Sequence, residues 1–305
     1  SCCTDKADWK DLSSSKRIVL LGKTGAGKSN LANTIFREEV FTTNHSANSG
    51  TRECQAETRL VNDRSITLID TPGLFDVERS EEEMKPEIVR CITECAPGPH
   101  VFLIVLKVEK FTEHENAVVT KICDYFSEDA LKYAVIVFTH GDQLPTGMTI
   151  EEFVRQNKNL RDLVEKCGGR CHILDNKYWK NKQQNDYRSN QFQVEELLNT
   201  IDKMVMENNG GYYTNEMLQM VMEEIKKEEE KLSSGNMSSE EIRKQARTSV
   251  FNTFMIQLTG IGTGVLKYSY NICTLFLTLF LSPLTLEGHI SFLPHKCSLM
   301  LQTVC

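Results

Sequence analysis

The first two thirds of the chain alternate between short apolar runs and longer stretches in which apolar residues recur with helical spacing. The short runs are typical of buried strands and lie near residues 17–22, 54–61, 65–70, 100–107, 133–139 and 171–175. The helical stretches lie near residues 28–37, 81–95, 113–126, 149–167 and 191–208. Strands that alternate with helices predict an α/β fold, namely a three-layer domain with a mostly parallel sheet and helices on both faces.

The pattern changes after residues 208–211, Asn-Asn-Gly-Gly, which are typical of a helix stop. Residues 216–232 are charged but carry an apolar stripe, which predicts an amphipathic helix packed on the preceding domain or on a partner helix. Residues 238–241, Ser-Ser-Glu-Glu, are typical of the cap of a further helix. We therefore predict an α/β domain over residues 15–210 and a helical extension over residues 211–247.

Residues 248–305 form a hydrophobic tail with few charges. Within it, residues 268–286 are nineteen residues without Asp, Glu, Lys or Arg, where crossing a bilayer needs about twenty apolar residues. The stretch 249–266 is also uncharged. Two interpretations stay open: a membrane-associated segment, such as a hairpin, and a hydrophobic tail that is disordered or packs locally.

The loop between the first predicted strand and the first predicted helix carries a phosphate-binding pattern. Its residues are Gly22, Lys23, Thr24, Gly25, Ala26, Gly27, Lys28, Ser29 and Asn30. The first eight fit Gly-x-x-x-x-Gly-Lys-Ser, the P-loop, whose backbone N–H groups surround the α- and β-phosphates at a helix N-terminus. Lys28 is expected to reach the β- and γ-phosphates, and the Ser29 hydroxyl is expected to ligate Mg²⁺.

A second motif, Asp70-Thr71-Pro72-Gly73, follows the strand predicted at residues 65–70. An Asp at the end of this strand can hold Mg²⁺ through its water shell. A Gly three residues later allows a backbone N–H to swing onto the γ-phosphate and away after hydrolysis, which is a switch. We therefore predict Asp70 as a metal ligand and Gly73 as a nucleotide contact.

The base-binding residues are expected after the strands at 133–139 and 171–175. Asp142 can accept hydrogen bonds from guanine N1–H and N2–H₂, a pair that adenine lacks, so it would select GTP over ATP. In most GTPases this motif is Asn/Thr-Lys-x-Asp, whereas this chain has His140 and Gly141 before the Asp. The packing over the base must therefore differ. Asn176 is expected to close the other side of the base.

Together these motifs resemble the GIMAP family of immunity-associated GTPases, a branch of the septin- and Toc-like P-loop GTPases. The resemblance covers roughly residues 15–210, and its matching segments are 22–30, 49–54, 70–76, 96–100, 138–144, 168–170 and 175–176. It implies a three-layer P-loop GTPase domain that binds GTP or GDP with Mg²⁺. In the first switch it implies Thr51 as a metal ligand and catalytic group, and Ser46 as a nucleotide contact.

Two departures from better-known GTPases bear on catalysis. Leu74 follows Gly73, where Ras-like proteins place a Gln that orients the attacking water, so intrinsic hydrolysis is expected to be slow. The resemblance implies that dimerisation across the nucleotide face completes the site, with an Arg in some relatives. This chain has Lys110 there, and a lysine is a poorer substitute for a planar guanidinium. The predicted catalytic residues are Lys28, Thr51 and Lys110.

The composition of the chain limits the classes of partner that it is expected to bind. A net charge of −7 and a pI near 5.6 argue against a nucleic-acid partner. The eleven cysteines include no Cys-x-x-Cys pair, which favours reduced thiols over a zinc site. The expected localisation is cytoplasmic, with the tail as a candidate attachment to an intracellular membrane. The expected partners are guanine nucleotide, a second copy of the chain and related GIMAP proteins.

Three functional classes stay open at this point. The first is a slow GTPase switch that dimerises on its nucleotide face, and the second is a GTP-binding scaffold with negligible hydrolysis. The third is an unrelated P-loop enzyme that uses ATP. Nucleotide specificity separates the third class from the others, and GTP turnover that rises with protein concentration separates the first from the second.

Overall fold

The computed structural model describes residues 15–43, 53–73, 80–179, 186–233 and 237–260. The chain divides into two units, Ser1–Met255 and Ile256–Cys305, and nearly all described residues belong to the first. The predicted contacts Ser46 and Thr51, the position Leu74 and the apolar stretch 268–286 lie outside the described residues.

A six-stranded sheet forms the centre of the first unit. Its strands are β1 Lys16–Leu21, β2 Gln55–Val61, β3 Arg64–Asp70, β4 Val101–Lys107, β5 Ala134–Thr139 and β6 Cys171–Ile173. The strand order is β2-β3-β1-β4-β5-β6, with β2 antiparallel to β3 and every other pair parallel. The sheet confirms the predicted α/β fold class. Because β4 and β5 are covered on both faces, their residues are continuously apolar rather than alternating.

Helices connect the strands and extend beyond them. In the described part of the chain they are α1 Lys28–Phe36, α2 Glu81–Cys95, α3 Glu113–Phe126, α4 Ile150–Arg155, α5 Lys158–Lys166, α6 Asn190–Glu207, α7 Glu216–Leu232 and α8 Ser239–Gly260. The prediction of one helix over residues 149–167 is wrong, because α4 and α5 are separate. Asn157 between them has extended backbone (φ −124°, ψ 122°), and its side chain accepts a hydrogen bond from Leu160 N–H (3.0 Å), which caps α5.

The core on one face of the sheet joins the P-loop helix α1 to α6. Leu31 and Ile35 of α1 and Leu197 and Ile201 of α6 belong to one buried cluster with the strands beneath them, and each is at most 1% exposed. Full burial of such a side chain contributes roughly 1.5–3 kcal/mol of transfer free energy. The position of the P-loop is therefore set by the hydrophobic core as well as by β1.

The helical extension packs against the α/β domain. Met217, Leu218, Val221 and Ile225 of α7 are buried, as the predicted apolar stripe requires. The chain reaches α7 through Tyr213, whose N–H donates to Pro99 O (2.9 Å).

Gly98 lies directly beneath that connection. A Cβ at Gly98 would lie 1.9 Å from Tyr213 O, so any side chain there would displace the connection. The Ala-Pro-Gly-Pro-His segment at residues 96–100 thus forms part of the surface that receives the extension.

Helix α8 begins at the predicted cap and crosses position 248, where the sequence suggests that the hydrophobic tail starts. Glu241 accepts hydrogen bonds from the backbone and the hydroxyl of Ser238 (3.0 and 2.8 Å), and Ala246, Val250 and Phe254 are buried. None of the helices in the described residues combines the length and hydropathy needed to span a bilayer. The tail assignment stays a prediction.

Candidate nucleotide-binding site

The P-loop joins the end of β1 to the start of α1, and its glycines are required by its shape. Gly22 has φ 148°, and a Cβ there would lie 2.5 Å from Val105 O of β4. Gly27 is the N-cap of α1 with φ 90°, a conformation that residues with a side chain rarely adopt. The loop therefore keeps close to β4 and turns sharply into the helix, as a phosphate-binding loop must.

Lys28 lies inside the loop rather than in solvent. The residue is 5% exposed, and its Nζ donates to Gly22 O (2.9 Å) and Lys23 O (3.0 Å). The loop residues Thr24 and Gly25 are exposed at its tip. The single buried cation of the motif is thus centred within the curve of the loop, where it can attract phosphate.

Ser29 and Asp70 come from the two phosphate-end motifs and meet directly. Ser29 Oγ donates to Asp70 Oδ2 at 2.5 Å, and Asp70 is 1% exposed. Thr71 Oγ1 donates to Leu20 O (2.5 Å), which fixes the segment that leads to the buried Gly73. One carboxylate and one hydroxyl fit Mg²⁺, because this ion binds through one or two carboxylates and takes its other oxygens from water and substrate phosphates.

Lys110 lines a cleft of about 470 Å³ beside the P-loop. The cleft is lined by Lys23, Glu109, Lys110, Thr112, His114 and Glu115. Lys23 Nζ contacts Glu115 Oε1 (2.5 Å) and Glu109 Oε1 (2.9 Å), so the side chain of this P-loop residue points to the carboxylates of the cleft. Lys110 itself is exposed at the same face of the domain as the P-loop.

Glu115 is the acidic residue that anchors this cleft. It belongs to the capping box of α3 with Thr112, and it is 6% exposed. Burial alone would raise the pKa of the Glu115 carboxyl, but the hydrogen bonds from Lys23 and Thr112 outweigh it and lower this pKa to about 2. The ion pair therefore holds the P-loop against the start of α3 over the whole neutral range.

At the base end, the loop after β5 is bonded to the P-loop. Thr139 is fully buried, and its hydroxyl donates to Ala26 O (2.8 Å). His140 follows with a left-handed backbone (φ 60°, ψ 46°). Gly141 N–H donates to Leu174 O (3.1 Å), and a Cβ at Gly141 would lie 2.6 Å from the indole of Trp179. The predicted guanine loop is thus placed against the P-loop.

Asn176 lies between the P-loop and the guanine loop. Its Nδ2 lies 2.8 Å from the place that a Cβ of Gly27 would occupy. Its amide oxygen is buried and has no hydrogen-bond partner among the described residues. Asn176 and Asn30 also line one cleft of about 450 Å³. A buried acceptor of this kind is available to a ligand that brings its own donor.

Two buried residues at the base end, Trp179 and Asn190, have no counterpart among the predicted site residues, and Asp175 was predicted only as part of a matching segment, without a role. Asp175 is 1% exposed and accepts hydrogen bonds from Lys177 N–H (2.9 Å), Tyr178 N–H and Asp142 N–H (3.2 Å). Asn190 holds the backbone of Asp175 through two hydrogen bonds of 3.0 and 2.5 Å. One signal was available for Asp175, because it follows a buried strand just as Asp70 ends one.

The carboxyl groups of Asp142 and Asp175 influence each other. Partial burial and the neighbouring Asp175 carboxylate raise the pKa of Asp142. Burial would also raise the pKa of Asp175, but hydrogen bonds from Tyr178 N–H, Asp142 and Lys177 N–H outweigh it and lower this pKa. The negative charge is thus held most firmly on the buried member of the pair.

A P-loop between β1 and α1, a carboxylate at the end of β3 and an Asp-bearing loop after β5 of a mostly parallel sheet define a P-loop GTPase fold. The fold is similar to Toc33 from Arabidopsis thaliana in complex with GDP and Mg²⁺, with 19% identity, 64% of this chain and 85% of that chain covered, and a TM-score of 0.50. A complex of Toc33 with Mg²⁺ and GMPPNP gives the same TM-score at 20% identity.

The chain belongs to the AIG1 family, whose family model matches residues 16–232. Immune-associated nucleotide-binding protein 8 of Arabidopsis thaliana is 37% identical over 235 residues, which cover 74% of this chain and 65% of that protein. GTPase IMAP family member 8 of Homo sapiens is 32% identical over 199 residues, which cover 65% of this chain and 29% of that protein. The match therefore spans less than two thirds of either relative, and it confirms the family resemblance.

Proposed function

We propose that this chain is a guanine-nucleotide-dependent switch that binds GTP or GDP with Mg²⁺, self-associates through its nucleotide face in the GTP form and hydrolyses GTP slowly. The observation that carries the proposal is the direct contact of Ser29 with Asp70, next to the buried Lys28. These groups come from two motifs, and a triphosphate with its metal would need them at one place.

At the phosphate end, each group has a defined task. Backbone N–H groups of the loop and of the first turn of α1 hold the α- and β-phosphates. Lys28 neutralises charge on the β- and γ-phosphates, while Ser29 and Asp70 hold the metal, directly or through water. Bound Mg²⁺ would add charge neutralisation on the β- and γ-oxygens. Gly73 and Thr51 would respond to the γ-phosphate, so that its presence changes the conformation of the two switch segments that contain them.

At the base end, Asp142 accepts the guanine N1–H and N2–H₂ groups. The hydrogen bond from the Thr139 hydroxyl to Ala26 O holds this loop against the P-loop. Asn176, whose side chain lies against Gly27 of the P-loop, would close the other side of the base. Because ATP offers no matching pair of donors to a carboxylate, this arrangement favours guanine nucleotides.

The slow hydrolysis and the self-association rest on two residues. Leu74 cannot orient a water molecule as a Gln does, so a second molecule would have to contribute to the site. Lys110 is exposed in the cleft beside the P-loop, where it can approach the nucleotide of a second copy. For the chloroplast translocon components atToc33 and psToc159, dimerization is important for the GTPase activity.

The test combines binding with turnover. Calorimetry should give tighter binding of GTP and GDP than of ATP. Light scattering should show a larger species with a non-hydrolysable GTP analogue than with GDP, and turnover per molecule should rise with protein concentration. Binding of GTP without any concentration-dependent turnover would favour the scaffold, and preferential binding of ATP would contradict the proposal.

Lys110 offers a sharper version of the same test. Lys110→Arg should raise turnover at high protein concentration, because a guanidinium is a better partner for transferring phosphate than an ammonium. Lys110→Ala should remove the concentration dependence and leave GTP affinity unchanged. Equal turnover in all three proteins would exclude Lys110 from catalysis.

A further inference from the structure

Two carboxylates from neighbouring strand ends meet at the base end of the site. β5 and β6 are parallel, with Phe138 opposite Ile173, so the loops that follow them leave the sheet side by side. Asp142 lies on the first loop and Asp175 on the second, and Asp142 N–H donates to Asp175 Oδ2 at 3.2 Å. The two carboxyl groups also interact, because Asp175 raises the pKa of Asp142, and neighbouring like charges oppose each other.

Asp175 differs from Asp142 in its surroundings. Asp142 is exposed, whereas Asp175 is 1% exposed and is bonded to backbone N–H groups of its own loop. A buried carboxylate is costly unless donors surround it, and here three backbone N–H groups do so. Two of them close the turn at residues 177–178, which is a structural task. The third reaches the loop of Asp142, which a turn alone would not require.

This inference rests on the proposed function. We propose that Asp175 is a positioning residue for guanine recognition, which fixes the loop of Asp142 and strengthens Asp142 as an acceptor without touching the base. The hydrogen bond from Asp142 N–H to the Asp175 carboxylate fixes the position of the loop that carries Asp142. The negative charge behind Asp142 makes its carboxylate a more basic acceptor toward the guanine N–H groups.

The charged and titratable groups around the pair act in both directions. Besides partial burial, Asp175 raises the pKa of Asp142, while the nearby His140 lowers it. Lys177 interacts with both carboxylates, and Tyr178 N–H bonds Asp175. Removing the Asp175 charge should therefore lower the pH at which Asp142 becomes protonated. Protonated Asp142 has lost an acceptor, so guanine selectivity should fall as the pH falls through that value.

The readout is the ratio of GDP affinity to IDP affinity. Hypoxanthine lacks the 2-amino group of guanine and is otherwise the same, so the ratio isolates the N2–H₂ contact with Asp142. For the unaltered protein the ratio should be roughly tenfold to hundredfold. Asp175→Asn should lower it by about threefold or more, because the acceptor is weakened and its loop is loosened. Asp186→Asn, the same change at an exposed position of a nearby loop, should leave the ratio unchanged.

Two additional measurements separate positioning from folding. The first is the pH at which the ratio of GDP to IDP affinity has fallen to half of its neutral value, which should be lower in Asp175→Asn than in the unaltered protein. Both nucleotides carry the same diphosphate, so its titration cancels in this ratio. Asp175→Glu keeps the charge but displaces it by one methylene. It should lower the ratio with little change in that midpoint, and it serves as the second variant if Asp175→Asn does not fold.

Each outcome decides between the explanations. An equal loss of GDP and IDP affinity in both Asp175 variants, with the ratio unchanged, would show a purely structural role and overturn the inference. If Asp142→Ala leaves the ratio unchanged, Asp142 is not the guanine acceptor, and the base end of the proposed function fails. If Asp142→Ala removes selectivity while both Asp175 variants keep it, only the inference about Asp175 fails.

Discussion

The phosphate end of the site is centred on one short loop, whereas the base end is assembled from loops that follow different strands. Lys28 contacts carbonyls five and six positions away in the chain, and the contact between Ser29 and Asp70, which spans 41 positions, adds a second motif. At the base end, the bond from Thr139 to Ala26 joins residues 113 positions apart, and the bond from Asp142 to Asp175 spans 33 positions.

This difference between the two ends predicts that mutations at each end have different effects on nucleotide binding. In the proposed function, the phosphate end uses backbone N–H groups and one cation, which would recognise features common to all nucleotides. The base end would use side chains on loops held by other side chains, and it would recognise one base. Changes at the phosphate end should alter how tightly any nucleotide binds, and changes at the base end should alter which nucleotide binds.

The largest effect is expected for Lys28→Ala. Losing the only buried cation of the loop should weaken GTP binding by more than about 3 kcal/mol, because charge-assisted bonds to the β- and γ-phosphates disappear, and it should weaken GDP binding less, because GDP has no γ-phosphate. Calorimetry with both nucleotides tests this. Lys132→Ala, an exposed lysine paired with Asp129, is the matched control. Unchanged GTP affinity in Lys28→Ala would contradict the assignment of the phosphate end.

Asp142→Asn should change specificity more than overall binding. The new amide donor would face guanine N–H groups, so GTP affinity should fall by about 2 kcal/mol. Xanthosine triphosphate carries a carbonyl in place of the 2-amino group, so it should bind this variant better than it binds the unaltered protein. Competition between GTP and xanthosine triphosphate measures this change in preference. If the variant still prefers GTP, the base pocket lies elsewhere.

Thr139→Val removes the bond that joins the two ends. Ala26 O would lose its partner in the core, so the free energy of unfolding should fall by about 1–2 kcal/mol. Urea unfolding measures this change. Thr120→Val removes a similar bond on an exposed helical turn and should cost less. Equal losses in the two variants would mean that the link between the ends contributes nothing of its own.

An effect that depends on pH is expected at the cleft beside the P-loop. Because the pKa of Glu115 is lowered to about 2 in the folded protein, its ionised form stabilises the fold above its ordinary value of 4.5. This contribution should be lost as the pH falls from about 4.5 toward 2. Glu115→Gln should therefore be less stable than the unaltered protein at pH 7, with a difference that narrows in acid.

Urea unfolding at pH 7, 4.5 and 3 follows that difference. Glu113→Gln changes an exposed carboxylate in the same helical turn and is the control. A constant difference between Glu115→Gln and the unaltered protein at all three pH values would show that the Lys23 pair does not stabilise the fold.

The order of strands and helices could be predicted because buried parallel strands are continuously apolar and amphipathic helices repeat every three to four residues. The break at Asn157 was missed for a local reason. Residues 149–167 keep helical spacing on both sides of it, and only the capping bond to Leu160 shows that a new helix begins. A pattern of apolar positions does not distinguish one helix from two consecutive helices.

By itself, the sequence determined the phosphate end, since a P-loop depends on glycines and on one lysine at short spacing. Gly22, Lys28 and Ser29 follow one another within eight positions, and their geometry is set by local backbone conformation. At the base end the sequence predicted Asp142 and Asn176, and only tertiary structure showed which residues support them. Asp175, Trp179 and Asn190 act through contacts between segments that are distant in the sequence, and the donors that surround the Asp175 carboxylate are brought together only by the fold.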